Sequence, residues 1–367
     1  MRPKLPFSSE FLSAHETKLK PLIERFQSSR ALHSTLLFTG VEGVGKKSLV
    51  LSFIHLLFCD RSIFAQAGGQ EAEENLFGDL MAAPPADFTG IKPCGECKSC
   101  VRAKQDQWLD LFWFEPEMNE EGTRLGIHKI EPFRELKGKL GMGPSEEPFK
   151  IAVIAEADRM TPQAANSILK MLEEPPQNWM FILTASDSSR LLPTILSRCN
   201  EIKLSPLSSE QIFSILKASR GSDSNSNREG IASRAALGSL TRAMSYLDEE
   251  VWQLRDQWLG FFSSPSHEWM KLIESLSAGQ RSLHLALDLI ESLFSDLLQA
   301  QLRGEQHVWI HEDQKSLLLQ FAEAKKITPE KLMRVLEKTA EKRKLVNLTL
   351  NSKLLAQEIL IPILKIL

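Results

Sequence analysis

The chain has 367 residues, 43% of them hydrophobic, with 44 Lys and Arg against 47 Asp and Glu and a formal net charge of -3. That length exceeds one ordinary core and implies two or three globular domains. The charge balance excludes a chain that holds nucleic acid through a global positive field, so any DNA contact has to be local or shared with partners.

The opening residues, MRPKLPFSSEF, lack the apolar stretch of a secretory signal, and no run of about 18 or more apolar residues occurs. The expected location is cytoplasmic, with no membrane segment. Three of the five cysteines, Cys94, Cys97 and Cys100, fall in one short cluster. In a reducing compartment that clustering suggests metal ligation more than disulfides.

Residues 16–33 are charged and periodic, with Leu19, Leu22, Ile23 and Phe26 on one helical face. The apolar run Ser34–Thr39 reads as a buried strand that ends at Gly40, and 48–58 has the length and pattern of a helix. Residues 61–92, rich in Gly, Ala, Pro and acids, read as a surface insertion. The runs 111–114, 150–155 and 181–184 read as further strands. Their alternation with helical segments such as 162–173 predicts a parallel α/β sheet.

After Pro206 the strand-like runs disappear. A small helical unit with a loop at 221–230 ends near Asp248, and Leu-rich amphipathic segments follow at 282–302, 329–342 and 353–367. The expected organisation is a P-loop domain at 1–205 carrying a metal-binding insertion at 59–100, a small helical domain at 206–250, and an all-α domain at 251–367.

Gly40-Val-Glu-Gly43-Val-Gly45-Lys46 fits the phosphate-loop core, in which glycines let backbone N–H groups approach phosphate oxygens and the lysine reaches the outer phosphates. The next position supplies the hydroxyl that ligates Mg²⁺. Here it is Lys47, with Ser48 one residue late. The second ion-binding group is an Asp ending a buried strand, followed by a Glu that orients water. In Ile151-Ala-Val-Ile-Ala155-Glu156-Ala-Asp158 the Asp position is Ala155, while Glu156 remains. Both changes act on the same ion and predict that hydrolysis is lost. ATP binding is doubtful: the loop reads either as a nucleotide cradle or as a strand-to-helix turn that holds nothing.

Cys94, Cys97 and Cys100 are spaced as a knuckle around one tetrahedral zinc ion. Cys59, at the end of the helix after the loop, is the first candidate for the fourth ligand, and His55, one turn earlier, is the alternative. The competing reading is three unrelated surface thiols. Cys199 stands apart and reads as a buried structural thiol.

Arg30–Gly40, the spaced cysteines, Asp158-Arg-Met-Thr161, Ala164-Ala-Asn166, Leu172-Glu-Glu-Pro-Pro176 and Leu196-Ser-Arg-Cys199 together resemble the bacterial clamp-loader subunits of DNA polymerase III, which are AAA+ ATPases. The resemblance runs in order from about residue 10 to 205. The Lys47 and Ala155 changes are similar to the delta-prime branch of that family, which often has a degenerate loop, whereas gamma/tau chains hydrolyse ATP.

The resemblance implies that Arg198 in Ser197-Arg198-Cys199 is an arginine finger acting on a neighbouring subunit's ATP. Chemically, a guanidinium offers planar donors to phosphoryl oxygens. The plainer reading of Arg198 is a surface arginine in a structural ion pair. The resemblance further implies a lid that includes Arg242, a sensor position at Thr184, and a C-terminal collar. The implied partners are gamma/tau and delta subunits and, through the assembly, the sliding clamp and primed DNA. Two rival readings are a hydrolysing gamma-type subunit, with Ser48 and Glu156 or Asp158 serving the ion, and a zinc-bearing interaction module with no role in replication.

Overall fold

Five short strands, β1 (Thr35–Thr39), β2 (Leu111–Phe114), β3 (Lys150–Ile154), β4 (Trp179–Ala185) and β5 (Cys199–Lys203), form one parallel sheet in the order β2-β3-β4-β1-β5. They belong to a computed structural model that describes residues 9–19, 21–22, 35–59, 93–117, 126–147, 149–176, 178–220, 225–263, 280–346, 354 and 357–358. The chain divides into two compact units, 1–219 and 220–367. The sequence-based boundary at 250 thus falls inside the second unit.

Every residue of β1, β3 and β4 is buried, as expected for strands covered on both faces. On one face Leu37, Ala152, Ile154, Phe181 and Leu183 share a core with Ala164, Ala165, Ile168, Met171 and Leu172 of the Pro162–Glu173 helix. At its start Thr161 accepts a hydrogen bond from the Ala164 N–H at 3.2 Å, and Pro162 occupies the first turn. The Lys46–Phe58 helix is buried on nearly all sides, consistent with the apolar majority of its residues after Ser48.

The sequence reading did not anticipate β5. Of Cys-Asn-Glu-Ile-Lys only Ile202 is buried, because an edge strand offers one protected face and leaves its other positions polar. In the second unit, the loop expected at 221–230 is corrected over 226–230, while 221–224 lie outside the described residues. Residues Ser226–Ala235 form a helix, capped by Asn225, whose side chain accepts from the Arg228 N–H at 3.2 Å. The Ser, Asn and Asp that read as a loop include the residue types that cap helices.

Helices Glu249–Ser263, Gln280–Arg303, Lys315–Ala324 and Pro329–Val346 make up most of the described residues of the second unit, and Phe262 meets the Phe321 ring at 4.6 Å between centroids. The expected helix at 16–33 is seen at 16–19 and 21–22, while Ile23 and Phe26 lie outside the described residues, as do 60–92 and most of 353–367. Among the described residues no helix is long and apolar enough to cross a membrane.

Candidate functional site

The parallel register brings the C-terminal ends of β1, β3 and β4 side by side, and the glycine loop leaves β1 there. A Cβ at Gly40 would lie 2.7 Å from the Leu204 carbonyl oxygen, and Gly43 and Gly45 take φ of 79° and 94°. Those conformations favour glycine whatever the loop binds. Lys46 is buried, and its Nζ donates to Gly40 O at 2.7 Å, Val41 O at 3.0 Å and Ser186 Oγ at 3.1 Å. Burial pushes its ammonium below the ordinary lysine range, against the opposing pull of Asp158, Glu42 and Glu156.

Lys47 turns toward the end of β3. Its Nζ is 2.6 Å from Glu156 Oε1 and 3.5 Å from Glu115 Oε1, and Arg159 Nε pairs with the other Glu156 oxygen at 2.9 Å. Glu156 therefore sits between two cations. Its backbone is left-handed, φ 52° and ψ 50°, and its N–H donates to Thr184 Oγ1 at 2.9 Å. Ala155 is fully buried, and its carbonyl receives His128 Nε2 at 2.7 Å. Asp158 Oδ2 accepts from the Ser186 and Asp187 N–H groups, both at 3.3 Å. It is thereby committed to the turn after β4.

Composition did not single out Glu115, His128, Arg159 or Ser186. For Glu115 the available signal was its place directly after a strand, and for Arg159 its spacing of three residues from Glu156.

The Sγ atoms of Cys59, Cys94, Cys97 and Cys100 all lie within 4.8 Å of one another, with Cys94 and Cys100 at 3.9 Å. A tetrahedral thiolate site with metal–sulfur bonds of ~2.3 Å needs sulfur separations of roughly 3.8 Å. Backbone N–H groups of Cys94, Cys97 and Cys100 point at the sulfurs of Cys59, Cys94 and Cys97 at 3.3, 3.3 and 3.4 Å. The Glu96 and Cys97 N–H groups hold the Cys94 thiol down to about 6, which favours the thiolate a metal requires, whereas burial pushes the Cys100 thiol up. These four residues fit a tetrahedral metal ion.

His55 stands outside the group. It is buried edge-on to Trp108 at 5.9 Å, and burial lowers it to about 4. Cys199 is half-buried against the sheet core, and burial pushes its thiol up to about 12.

Arg198 lies at the other end of the sheet. Cys199 pairs with Thr35 and Lys203 with Thr39, so Arg198 precedes the strand end opposite Gly40, roughly 20 Å away at ~3.3 Å per residue. Its Nη1 donates to Thr194 O at 2.9 Å and Ser197 Oγ at 3.3 Å, and Nη2 to Glu173 Oε1 at 3.0 Å. Arg242, in the second unit, bonds Glu291 at 3.2 Å and the Asp288 carbonyl at 3.2 Å.

The sheet and glycine loop define a P-loop α/β domain, and the comparisons narrow the class. The family model described as DNA polymerase III, delta subunit matches residues 63–208. The DNA polymerase III subunit delta' of Bacillus subtilis (strain 168) is 26% identical over 310 residues, covering 77% of this chain and 84% of that relative. The delta' subunit of Escherichia coli (strain K12) is 26% identical over 267 residues, covering 72% and 70%. The tau subunit of the same organism is 29% identical over 223 residues, but the match spans 60% of this chain and only 29% of tau. A solved gamma subunit-related protein from Thermotoga maritima aligns over 95% of this chain and 98% of its own at 18% identity, with a TM-score of 0.43, too loose a likeness to carry an argument. Over these spans the chain is similar to DNA polymerase III subunits, delta' and tau among them.

Proposed function

We propose that this chain is a non-hydrolysing, delta-prime-like subunit of the clamp loader, built on an AAA+-type domain. The observation that carries the reading is the Lys47–Glu156 ion pair beside Ala155. Catalysis at a phosphate loop needs a divalent ion to neutralise developing charge and a carboxylate free to orient water. Here an ammonium covalently tied to the chain faces the would-be base, and the residue that would hold the ion has no side-chain oxygen.

Arg198 is the group this subunit gives to a neighbour. Its position at the sheet end away from its own loop supports action in trans, because a guanidinium there is too far from Gly40 to serve its own nucleotide. The four cysteines would hold zinc as a structural ion, whose chemistry is to cross-link the knuckle to the end of the Lys46–Phe58 helix. Residues 206–250 would act as lid and 251–367 as collar, with gamma/tau and delta as partners. Cytoplasmic loading of the sliding clamp onto primed DNA is the process served.

The test is ATP turnover. Purified chain with Mg-ATP is expected to show no turnover above that of Lys46→Ala. Multiple turnovers that vanish on this substitution would establish the rival gamma/tau-type reading, which the 29% identity to tau favours. In a loader reconstituted with gamma/tau and delta subunits, Arg198→Ala is expected to depress clamp-dependent turnover and leave assembly intact.

A further inference from the structure

Glu173 and Arg198 come from different elements. Glu173 ends the Pro162–Glu173 helix, and Arg198 stands between the Pro193–Leu196 helix and β5. A guanidinium has five N–H donors. Thr194 O, Ser197 Oγ and Glu173 Oε1 each take one, and Nε is buried without an acceptor among the described residues. A single Nη2 proton is left for an outside anion. In this conformation Arg198 is turned onto its own subunit, and a carboxylate stands beside it where a neighbour's phosphates would have to approach.

The contact is also easy to break. The Glu173 side chain is 55% exposed and that of Arg198 28%. Exposed ion pairs are weak and are screened by salt. A bound triphosphate carries more charge than one carboxylate and offers several oxygens to the planar fork.

Building on the reading of Arg198 as a finger in trans, we infer that Glu173 is a latch that stows the guanidinium until a neighbour's nucleotide phosphates draw it away. The stowed fraction is unable to engage, so the latch lowers the apparent affinity of finger for nucleotide in proportion to its occupancy. Glu173 acts through Arg198 and touches no reacting atom.

The test uses the reconstituted loader with clamp, primed DNA and Mg-ATP. Glu173→Gln is expected to raise kcat/KM for ATP by about two- to fivefold at low salt, the range an exposed ion pair supports. The gain should shrink as ionic strength rises, Glu173→Asp should match the unsubstituted loader, and Glu173→Ala should give the same sign as Gln. In an Arg198→Ala background the Glu173→Gln gain should vanish. A residue that merely supports the helix end would produce neither the salt dependence nor that epistasis. If Arg198→Ala depresses turnover while Glu173→Gln leaves it unchanged or lowers it, the latch is wrong and the finger stands. If Arg198→Ala changes nothing, the finger reading fails and the latch falls with it.

Discussion

Lys47 Nζ and Glu156 Oε1 are 2.6 Å apart, and Arg159 holds the second Glu156 oxygen at 2.9 Å. A divalent ion at a phosphate loop comes and goes with its nucleotide. An ammonium fixed to the chain does not, and Glu156 is neutralised without any ligand.

Magnesium should therefore add nothing to nucleotide binding. The rise in Tm with Mg-ATP is expected to equal that with ATP and chelator in the unsubstituted chain. The pair Lys47→Ser and Ala155→Asp puts back a hydroxyl and a carboxylate, and its Tm is expected to rise further with Mg-ATP than without the metal. Saturation at one hundred times Kd corresponds to about 2.7 kcal/mol of stabilisation. A magnesium-dependent shift in the unsubstituted protein would overturn the argument.

Metal analysis of purified protein is expected to find one zinc per chain, lost in Cys97→Ser and in Cys59→Ser and kept in Cys199→Ser. Because the ion binds the folded chain, its removal by chelator should lower the Tm of the 1–219 unit. Stoichiometric zinc in Cys59→Ser would mean that the ligand set is different.

Acid should weaken the second unit through His311. The residue is fully buried, and burial, followed by the nearby Arg255 cation, lowers it to about 3. Its Nδ1 accepts from Arg255 Nε at 3.1 Å, while Nε2 lies 3.0 Å from Ser292 Oγ. A histidine depressed in the folded state takes up its proton more readily when unfolded. Stability is then fully present above the ordinary value near 6.5 and declines as pH falls toward about 3, by up to ~1.4 kcal/mol per pH unit. Urea unfolding of His311→Asn across that range should show a shallower pH slope by up to this amount, and an unchanged slope would exclude the effect.

Gly40→Ala is expected to destabilise the first unit by about 1–3 kcal/mol even without nucleotide. The added Cβ would meet the Leu204 carbonyl at 2.7 Å, with φ at +154°. Equal urea midpoints for the two proteins would show that the loop yields freely.

Much of this site was legible before folding. Glycine spacing, the apolar runs that became β1 and β3, and the helical segment at 162–173 all depend on local composition and periodicity. The cysteine spacing likewise brought three ligand candidates together in the chain, and Cys59 joined them in space across a segment outside the described residues. β5 escaped because four of its five residues are not buried, and the Ser226–Ala235 helix because its capping residues also occur in loops.

The sequence by itself determined that Lys47 and Ala155 supply neither hydroxyl nor carboxylate for magnesium, since that follows from residue chemistry at motif positions. Only the tertiary structure decided that Lys47 meets Glu156, that Glu115 and Arg159 complete the cluster, and that Arg198 pairs with Glu173 at the far end of the sheet. Apart from the local Arg159–Glu156 pair, three residues apart, those pairings arise from strand order and register, which bring together residues distant in the chain and leave no mark in local periodicity.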